Sequence, residues 1–201
     1  PAPPLACRGA AAVASRRRFL PRDVVVVGAA RTAIGAFCGG LAALPATRLG
    51  AAAMAAALRK AKVAPEEVDA VVFGHALPAG CGLHAVRQAA LLAEIPPAVD
   101  CTGVNKACAS GLKAVALAAQ AIALGQAEVV VAGGMESMSR APYLLQQARA
   151  GGYHYGHGRL EDSALLDGLT DAGSQNHLGA CVERTLCPAA TRHRPAIAYH
   201  R

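Results

Sequence analysis

The chain has 201 residues, of which 54% are hydrophobic, so it is long and apolar enough to build a core. Aromatic residues make up only 3% and tryptophan is absent, which leaves few rings on which single-stranded nucleic acid could stack. The net charge of +7 belongs to the ends, since residues 23–180 sum to −1, and we therefore predict no nucleic-acid partner.

The first 22 residues have the composition of an organelle-targeting segment. They are rich in Ala and Arg, include Ser15 and lack acidic side chains, which is typical of a mitochondrial or plastid transit peptide. We expect residues 1–22 to lie outside the folded domain and the protein to reach the mitochondrial matrix; a disordered basic tail is the alternative. Arg48 and Gln120 interrupt the longest apolar stretches, so no membrane span is predicted.

Residues 23–134 predict an α/β core in which strands and helices alternate. Strands are predicted at 23–29, 69–74, 99–105 and 128–132, and helices at 47–62, 84–94 and 109–125. The strands contain continuous Val-rich runs, which indicate burial on both faces. Such strands form a parallel or mixed sheet that is covered by helices.

The pattern changes after Gly134. Glycine and polar residues dominate residues 135–180, with one helical stretch predicted around 160–166. We interpret this segment as a partial loop domain that lies on top of the sheet. Residues 181–201 are predicted to be a divergent or truncated tail, because residues 186–201, with Pro188 and Pro195, fit neither the expected helix nor a strand.

The seven cysteines are an odd number at wide spacings without a C-x-x-C pair, which is typical of a reducing compartment. One group resembles a metal site, since two cysteines and three histidines fall close together in the sequence: His177, Cys181, Cys187, His193 and His200. The cysteines are further apart than the usual two to four intervening residues of structural zinc sites. We therefore predict no metal.

Cys108 lies where a strand-like segment gives way to a long Ala-rich helical pattern. A thiol at a helix N-terminus is close to unpaired backbone N–H groups, which favour the thiolate and so make a nucleophile. Small residues at 109–111 let a ligand approach the start of the helix. The alternative is that Cys108 is a small buried apolar side chain.

Two segments, the first of which contains Cys108, resemble the thiolase family, in its acetyl-CoA acetyltransferase branch of the mitochondrial type. They are residues 105–114 (NKACASGLKA) and 132–139 (AGGMESMS). Supporting runs occur, in family order, at 31–37, 86–89, 167–172 and 177–179. Ala33 stands where the family usually has Pro, and Leu178 stands where it usually has Met.

The resemblance implies the first half of the thiolase fold, within a five-layered α/β protein that forms dimers or tetramers. It implies thiolysis of acetoacetyl-CoA or, in reverse, condensation of two acetyl-CoA molecules. Cys108 would be the nucleophile that carries the acyl-thioester, with its backbone N–H as an oxyanion donor. Leu169, His177 and Leu178 would lie along the CoA arm. CoA and acetyl-CoA are then substrates, and no permanently bound cofactor is expected.

The family's second half supplies a Gly-His-Pro histidine, an Asn-Glu-Ala-Phe asparagine and a Cys-x-Gly cysteine, and the resemblance in these 201 residues covers the first half only. Two hypotheses follow. The chain is the N-terminal part of an acetyl-CoA acetyltransferase that is active when complete, or it is a non-catalytic fragment that pairs with full-length subunits. We also expect structural roles for Gly133 and Gly134, in a tight turn, and for Glu136, as an acceptor of loop N–H groups.

Overall fold

A computed structural model describes residues 22–149 and 151–186, except for the side chains of residues 185 and 186. Its α-helices are α1 (Ala46–Ala61), α2 (Ala85–Leu92), α3 (Ser110–Ala123) and α4 (Leu178–Leu186). Its strands are β1 (Ala70–Gly74), β2 (Asp100–Val104), β3 (Val130–Gly134), β4 (Tyr143–Leu144) and β5 (Glu161–Asp162). The predicted transit segment before Arg22 and residues 187–201 of the predicted tail lie outside the described residues.

The main sheet has three parallel strands in the order β2-β1-β3. Ala70 at the start of β1 pairs with Asp100 on one side and with Val130 on the other. Helices connect the strands, because parallel neighbours need a crossover. This arrangement confirms the predicted α/β fold, and a separate antiparallel pair, β4 with β5, follows in the loop region.

Successive side chains of β1 point to opposite faces of the sheet. Val71 and Phe73 are buried in a core formed with α1 and α2, where Met54 and Ala89 are also buried. On the opposite face, a Cβ added to Gly74 would point at the start of α3. The sheet is therefore covered by helices on both faces, and α3 lies close to the carboxyl ends of the strands.

The strand predicted at 23–29 is wrong. This segment is extended but belongs to no sheet, and Val25 and Val26 are 71% and 82% exposed. It lies against α1, where Lys60 donates to the Ala29 carbonyl, and a cleft of about 180 Å³ lies between it, α3 and the outer side of β3. A Val run gives strand propensity, but a strand also needs a hydrogen-bonded neighbour, which the sequence does not specify.

Two other expectations need correction. β1 is buried as predicted, but β2 exposes Asp100, Thr102 and Gly103, because it is an edge strand of the described sheet. The helical stretch predicted at 160–166 begins instead as β5, and a π-helical turn then runs over Ala164–Leu169. The partner strand β4 is distant in the sequence, so a local pattern could not reveal this pairing.

None of the helices in the described part of the chain is long and apolar enough to cross a bilayer.

We expect Gly74→Ala to lower the free energy of unfolding by about 1–3 kcal/mol. The added Cβ would lie 2.5 Å from the Ser110 carbonyl carbon and 2.6 Å from the Gly111 nitrogen, so α3 would have to shift. Urea unfolding followed by circular dichroism measures the change. Gly40→Ala is the matched control, because its Cβ would meet nothing within 4 Å. Equal stability of the two variants would contradict this account of the packing.

Candidate active site

Cys108 lies just outside the first turn of α3. The helix begins at Ser110 with Ala109 as its N-cap residue, and Cys108 precedes the cap. Its side chain is exposed and lines a cleft of about 380 Å³, so the alternative of a buried apolar cysteine is wrong. The cleft is bounded by the start of α3, the ends of β1 and β3, and residues 167–169.

The turn that holds Cys108 is fixed by two polar side chains. The side-chain Oδ1 of Asn105 accepts the Ala107 N–H at 3.0 Å. The buried Ser110 hydroxyl accepts the Lys106 N–H at 2.8 Å and donates to the Ala107 carbonyl at 2.5 Å. Ala107 has a φ of 47°, which a residue with a Cβ rarely adopts, so these hydrogen bonds hold a strained residue beside the cysteine.

Small residues bring α3 onto the ends of the strands. Gly74 of β1 and Gly134 of β3 both face Gly111 in the first turn. A Cβ on Gly134 would lie 3.4 Å from the Gly111 Cα, and one on Gly74 would clash with helix backbone. A Cβ on Gly133 would instead meet the Phe73 ring at 2.7 Å. The glycines therefore fix how closely the helix start approaches the sheet. The tight turn predicted at Gly133 and Gly134 is wrong, because both are residues of β3 and neither has a positive φ.

Glu136 forms part of the cleft wall. Its carboxylate accepts the Ala76 N–H at 2.8 Å and the Leu77 N–H at 3.4 Å. These contacts agree with the expectation that Glu136 is an acceptor of loop N–H groups. The carboxylate thus holds the segment that follows β1 against the segment that follows β3.

The structure brings only one of the three predicted CoA-arm residues next to Cys108. Leu169 lines the same cleft. His177 and Leu178 do not line it: the His177 Nδ1 accepts the Gly179 N–H at 3.1 Å at the beginning of α4, and Leu178 is exposed. Their assignment to the CoA arm stays a prediction.

Cys81 and Cys101 differ from Cys108 in that both are partly buried. Burial raises the pKa of the Cys81 thiol, and the nearby Glu136 charge raises it further against the opposing effect of Arg140. Burial also raises the pKa of Cys101, although Arg87 partly offsets it. Cys38 is exposed.

Residues 22–149 and 151–186 contain no group of three His, Cys, Asp or Glu side chains arranged to hold a metal ion. Three members of the cysteine and histidine group considered above, Cys187, His193 and His200, lie outside these ranges. A second cleft, of about 560 Å³, is lined by residues such as 30–37 and 134–139. It has no cysteine or histidine in its lining, so it offers no nucleophile of the predicted kind.

Sequence reasoning missed the residues that hold the turn. Asn105 and Ser110 belong to the segment that carries the resemblance, but their hydrogen bonds depend on the turn geometry and not on a residue pattern. His75 received no role, yet its side chain is buried and its Nε2 lies 3.3 Å from Glu136 Oε1. The two residues are far apart in the sequence, so no local spacing could have paired them.

Comparisons with known proteins show which family the chain belongs to. A family model described as the thiolase N-terminal domain matches residues 24–193. The chain belongs to the thiolase family. This membership confirms the resemblance seen in residues 105–114 and 132–139.

Similar proteins carry the name acetyl-CoA acetyltransferase. Acetyl-CoA acetyltransferase 2 of Arabidopsis thaliana is 55% identical over 163 residues, which cover 81% of this chain and 40% of that relative. The cytosolic acetyl-CoA acetyltransferase of Rattus norvegicus is 51% identical over 80% of this chain and 40% of its own length. The mitochondrial acetyl-CoA acetyltransferase of Homo sapiens is 46% identical over 164 residues, which cover 82% of this chain and 38% of that relative. The chain thus spans about 40% of the length of these relatives, which include both cytosolic and mitochondrial forms.

We expect iodoacetamide at neutral pH to label Cys108 faster than Cys81 and Cys101, because burial raises the pKa of those two thiols and Cys108 is exposed. Labelling of Cys81 and Cys101 should rise only at more alkaline pH, because both have raised pKa values. Peptide mapping by mass spectrometry measures each rate, with exposed Cys38 as the reference. Equal labelling rates for these four cysteines at neutral pH would contradict the assignment of Cys108 as the reactive thiol.

Proposed function

We propose that this chain provides the nucleophile of an acetyl-CoA acetyltransferase. In the proposed reaction Cys108 takes the acetyl group of acetyl-CoA, or the acyl group released by thiolysis of acetoacetyl-CoA. The observation that carries the proposal is the exposed thiol of Cys108 in a cleft, one residue outside the N-cap of α3. The names of the relatives support the same chemistry.

The proposed acylation step moves the acetyl group from the CoA sulfur to the Cys108 sulfur. The Cys108 thiolate attacks the thioester carbonyl carbon, and the carbonyl π electrons move to the oxygen. When the tetrahedral intermediate collapses, the bond to the CoA sulfur breaks, and CoA leaves as a thiolate that takes up a proton. The acetyl group then remains on Cys108 as a thioester, ready for attack by the carbanion of a second acetyl-CoA.

The start of α3 suits the charge that develops on the oxygen. The Lys113 N–H donates to the Ala109 carbonyl, so the N–H groups of Gly111 and Leu112 precede the first bond of the helical ladder. Together with the Cys108 N–H they are the candidate oxyanion donors. Gly111 leaves this part of the helix open to the cleft, which it lines.

The cleft also supports the assignment of an acyl-CoA substrate. Apolar side chains line it on several sides: Leu77, Met135, Met138 and Leu169. A pantetheine chain is largely apolar, and such a lining would cover it while leaving its polar groups at the mouth. In this proposal His177 and Leu178 contact more distant parts of CoA.

Residence in the mitochondrial matrix is part of the proposal. It is supported by the composition of residues 1–22, which carry five Arg and no acidic residue. A fusion of these residues to a fluorescent protein would test it. Accumulation in mitochondria is expected, and a diffuse cytosolic signal would contradict it.

Incubation of the chain with acetyl-CoA should give one acetyl group per chain, located on Cys108 by peptide mapping. Cys108→Ala should abolish this product. Cys38→Ser should retain it, because Cys38 is exposed but lies outside the cleft. Acetyl-CoA should also slow iodoacetamide labelling of Cys108 and leave that of Cys38 unchanged. Acetylation spread over several cysteines, or none on Cys108, would disprove the proposal.

The second hypothesis, pairing with full-length subunits, is favoured by the exposed apolar side chains of α3. Leu112 and Val115 are 76% and 43% exposed and lie three residues apart on α3, and neighbouring exposed apolar groups favour contact with another surface. The same contact would serve homo-oligomers of a complete protein.

Co-expression of the tagged chain with a complete acetyl-CoA acetyltransferase subunit should give a mixed oligomer. Leu112→Asp should weaken co-purification about tenfold or more, because it places a charge in an apolar contact. Gln120→Asp is the control, since it adds the same charge at an exposed polar position of α3. Failure of the unmodified chain to co-purify would rule out pairing.

A further inference from the structure

A buried histidine that the proposed chemistry does not use lies behind the cleft. His75 follows β1, and its backbone N–H donates to the Val104 carbonyl at 3.0 Å, which extends the pairing with β2. Its side chain is 5% exposed, and its Nε2 lies 3.3 Å from Glu136 Oε1. The Cys81 sulfur lies 3.9 Å from the same nitrogen, in a hydrogen bond to sulfur. His75 thus contacts both a carboxylate and a thiol.

Glu136 is the first link between this histidine and the cleft. Oε1 faces both His75 and the Leu77 N–H, while Oε2 accepts the Ala76 N–H at 2.8 Å. Without the histidine, the carboxylate would keep its two backbone donors but lose the side chain that fixes its rotation. His75 is thus the side chain that contacts Oε1 of Glu136, in addition to the two backbone donors.

The second link runs from Ala76 to the turn of the nucleophile. The Ala76 carbonyl accepts the Asn105 side-chain N–H at 3.0 Å. The carbonyl oxygen of the same amide accepts the Ala107 N–H at 3.0 Å. Asn105 therefore spans the segment held by Glu136 and the strained residue that precedes Cys108. Displacement of the Ala76 peptide would be passed on to this turn.

We infer that His75 is a positioning residue for acyl transfer, which acts through Glu136 on the turn that presents Cys108. The inference rests on the proposed function, because acyl transfer is the step that needs the position. The carbonyl carbon must meet the sulfur while its oxygen meets the N–H groups of the first turn. Such alignment is sensitive to displacements of about 1 Å. Alkylation of the sulfur by iodoacetamide forms no oxyanion and does not need this alignment.

Three variants test the inference. His75→Leu supplies an apolar side chain of similar bulk but removes the ring nitrogen that contacts Glu136. His75→Gln keeps an N–H donor in reach of Glu136. Glu136→Gln places an amide where a carboxylate accepts two N–H groups, and it provides a second route if His75→Leu does not fold. Each is studied in the full chain, with the Cys108→Ala rate subtracted as background.

Two acyl donors are used, acetyl-CoA and p-nitrophenyl acetate, and the second does not depend on recognition of CoA. His75→Leu and Glu136→Gln should each lower the acylation rate of Cys108 about tenfold with both donors. His75→Gln should recover most of that rate. A double variant that combines His75→Leu with Glu136→Gln should acylate no more slowly than the slower of the two single variants, because both residues act through one path. Iodoacetamide labelling of Cys108 and of half-buried Cys101 should stay unchanged.

Unchanged acylation in both single variants would overturn the inference. A parallel change in the labelling of Cys108 and Cys101 would also overturn it, since that result shows a general structural role. If p-nitrophenyl acetate acylates the unmodified chain but acetyl-CoA does not, the proposed function fails while the role of His75 is still decided by the variants. Absence of acylation by either donor would overturn both.

Discussion

The site depends on one close contact, in which the first turn of α3 lies directly on the ends of β1 and β3. Glycines at positions 74, 111 and 134 make this approach possible, since a Cβ on Gly74 would overlap helix backbone. The contact sets the position of the helix start, and therefore of the N–H groups and of Cys108. A cleft remains between this turn and the loops that follow the strands. Packing of backbone against backbone thus fixes the position of the candidate nucleophile more firmly than any single side chain could.

Polar contacts then fix the conformation of the turn. Ser110 closes it from the helix side, and Asn105 connects it to the segment after β1. Glu136 holds that segment from the strand β3 side. Because three parts of the chain meet through these bonds, a local change at one of them alters the geometry at the cysteine. The arrangement suits acyl transfer, in which nucleophile and oxyanion donors act on one carbonyl group.

The sequence allowed the prediction of features that depend on local pattern. Helices α1 and α3 and strands β1 and β2 lie close to their predicted ranges, because the spacing of apolar residues marks these elements, although β2 is more exposed than predicted. Cys108 was found because a change of pattern and a family motif coincide there. Features that depend on distant partners were missed or wrong. The segment 23–29 has strand composition but no strand neighbour, β5 needs β4, and His75 meets Glu136 only in the folded chain.

Ala107 links stability to reactivity at this site. Its left-handed backbone costs a residue with a Cβ roughly 1–2 kcal/mol relative to an ordinary conformation. Glycine would remove that cost, but it would also let the peptide before Cys108 sample many more orientations. A methyl group that looks unfavourable therefore narrows the set of shapes open to the loop. Selection for stability of the fold alone would favour glycine at this position. Selection for a fixed orientation of the Cys108 thiol favours alanine.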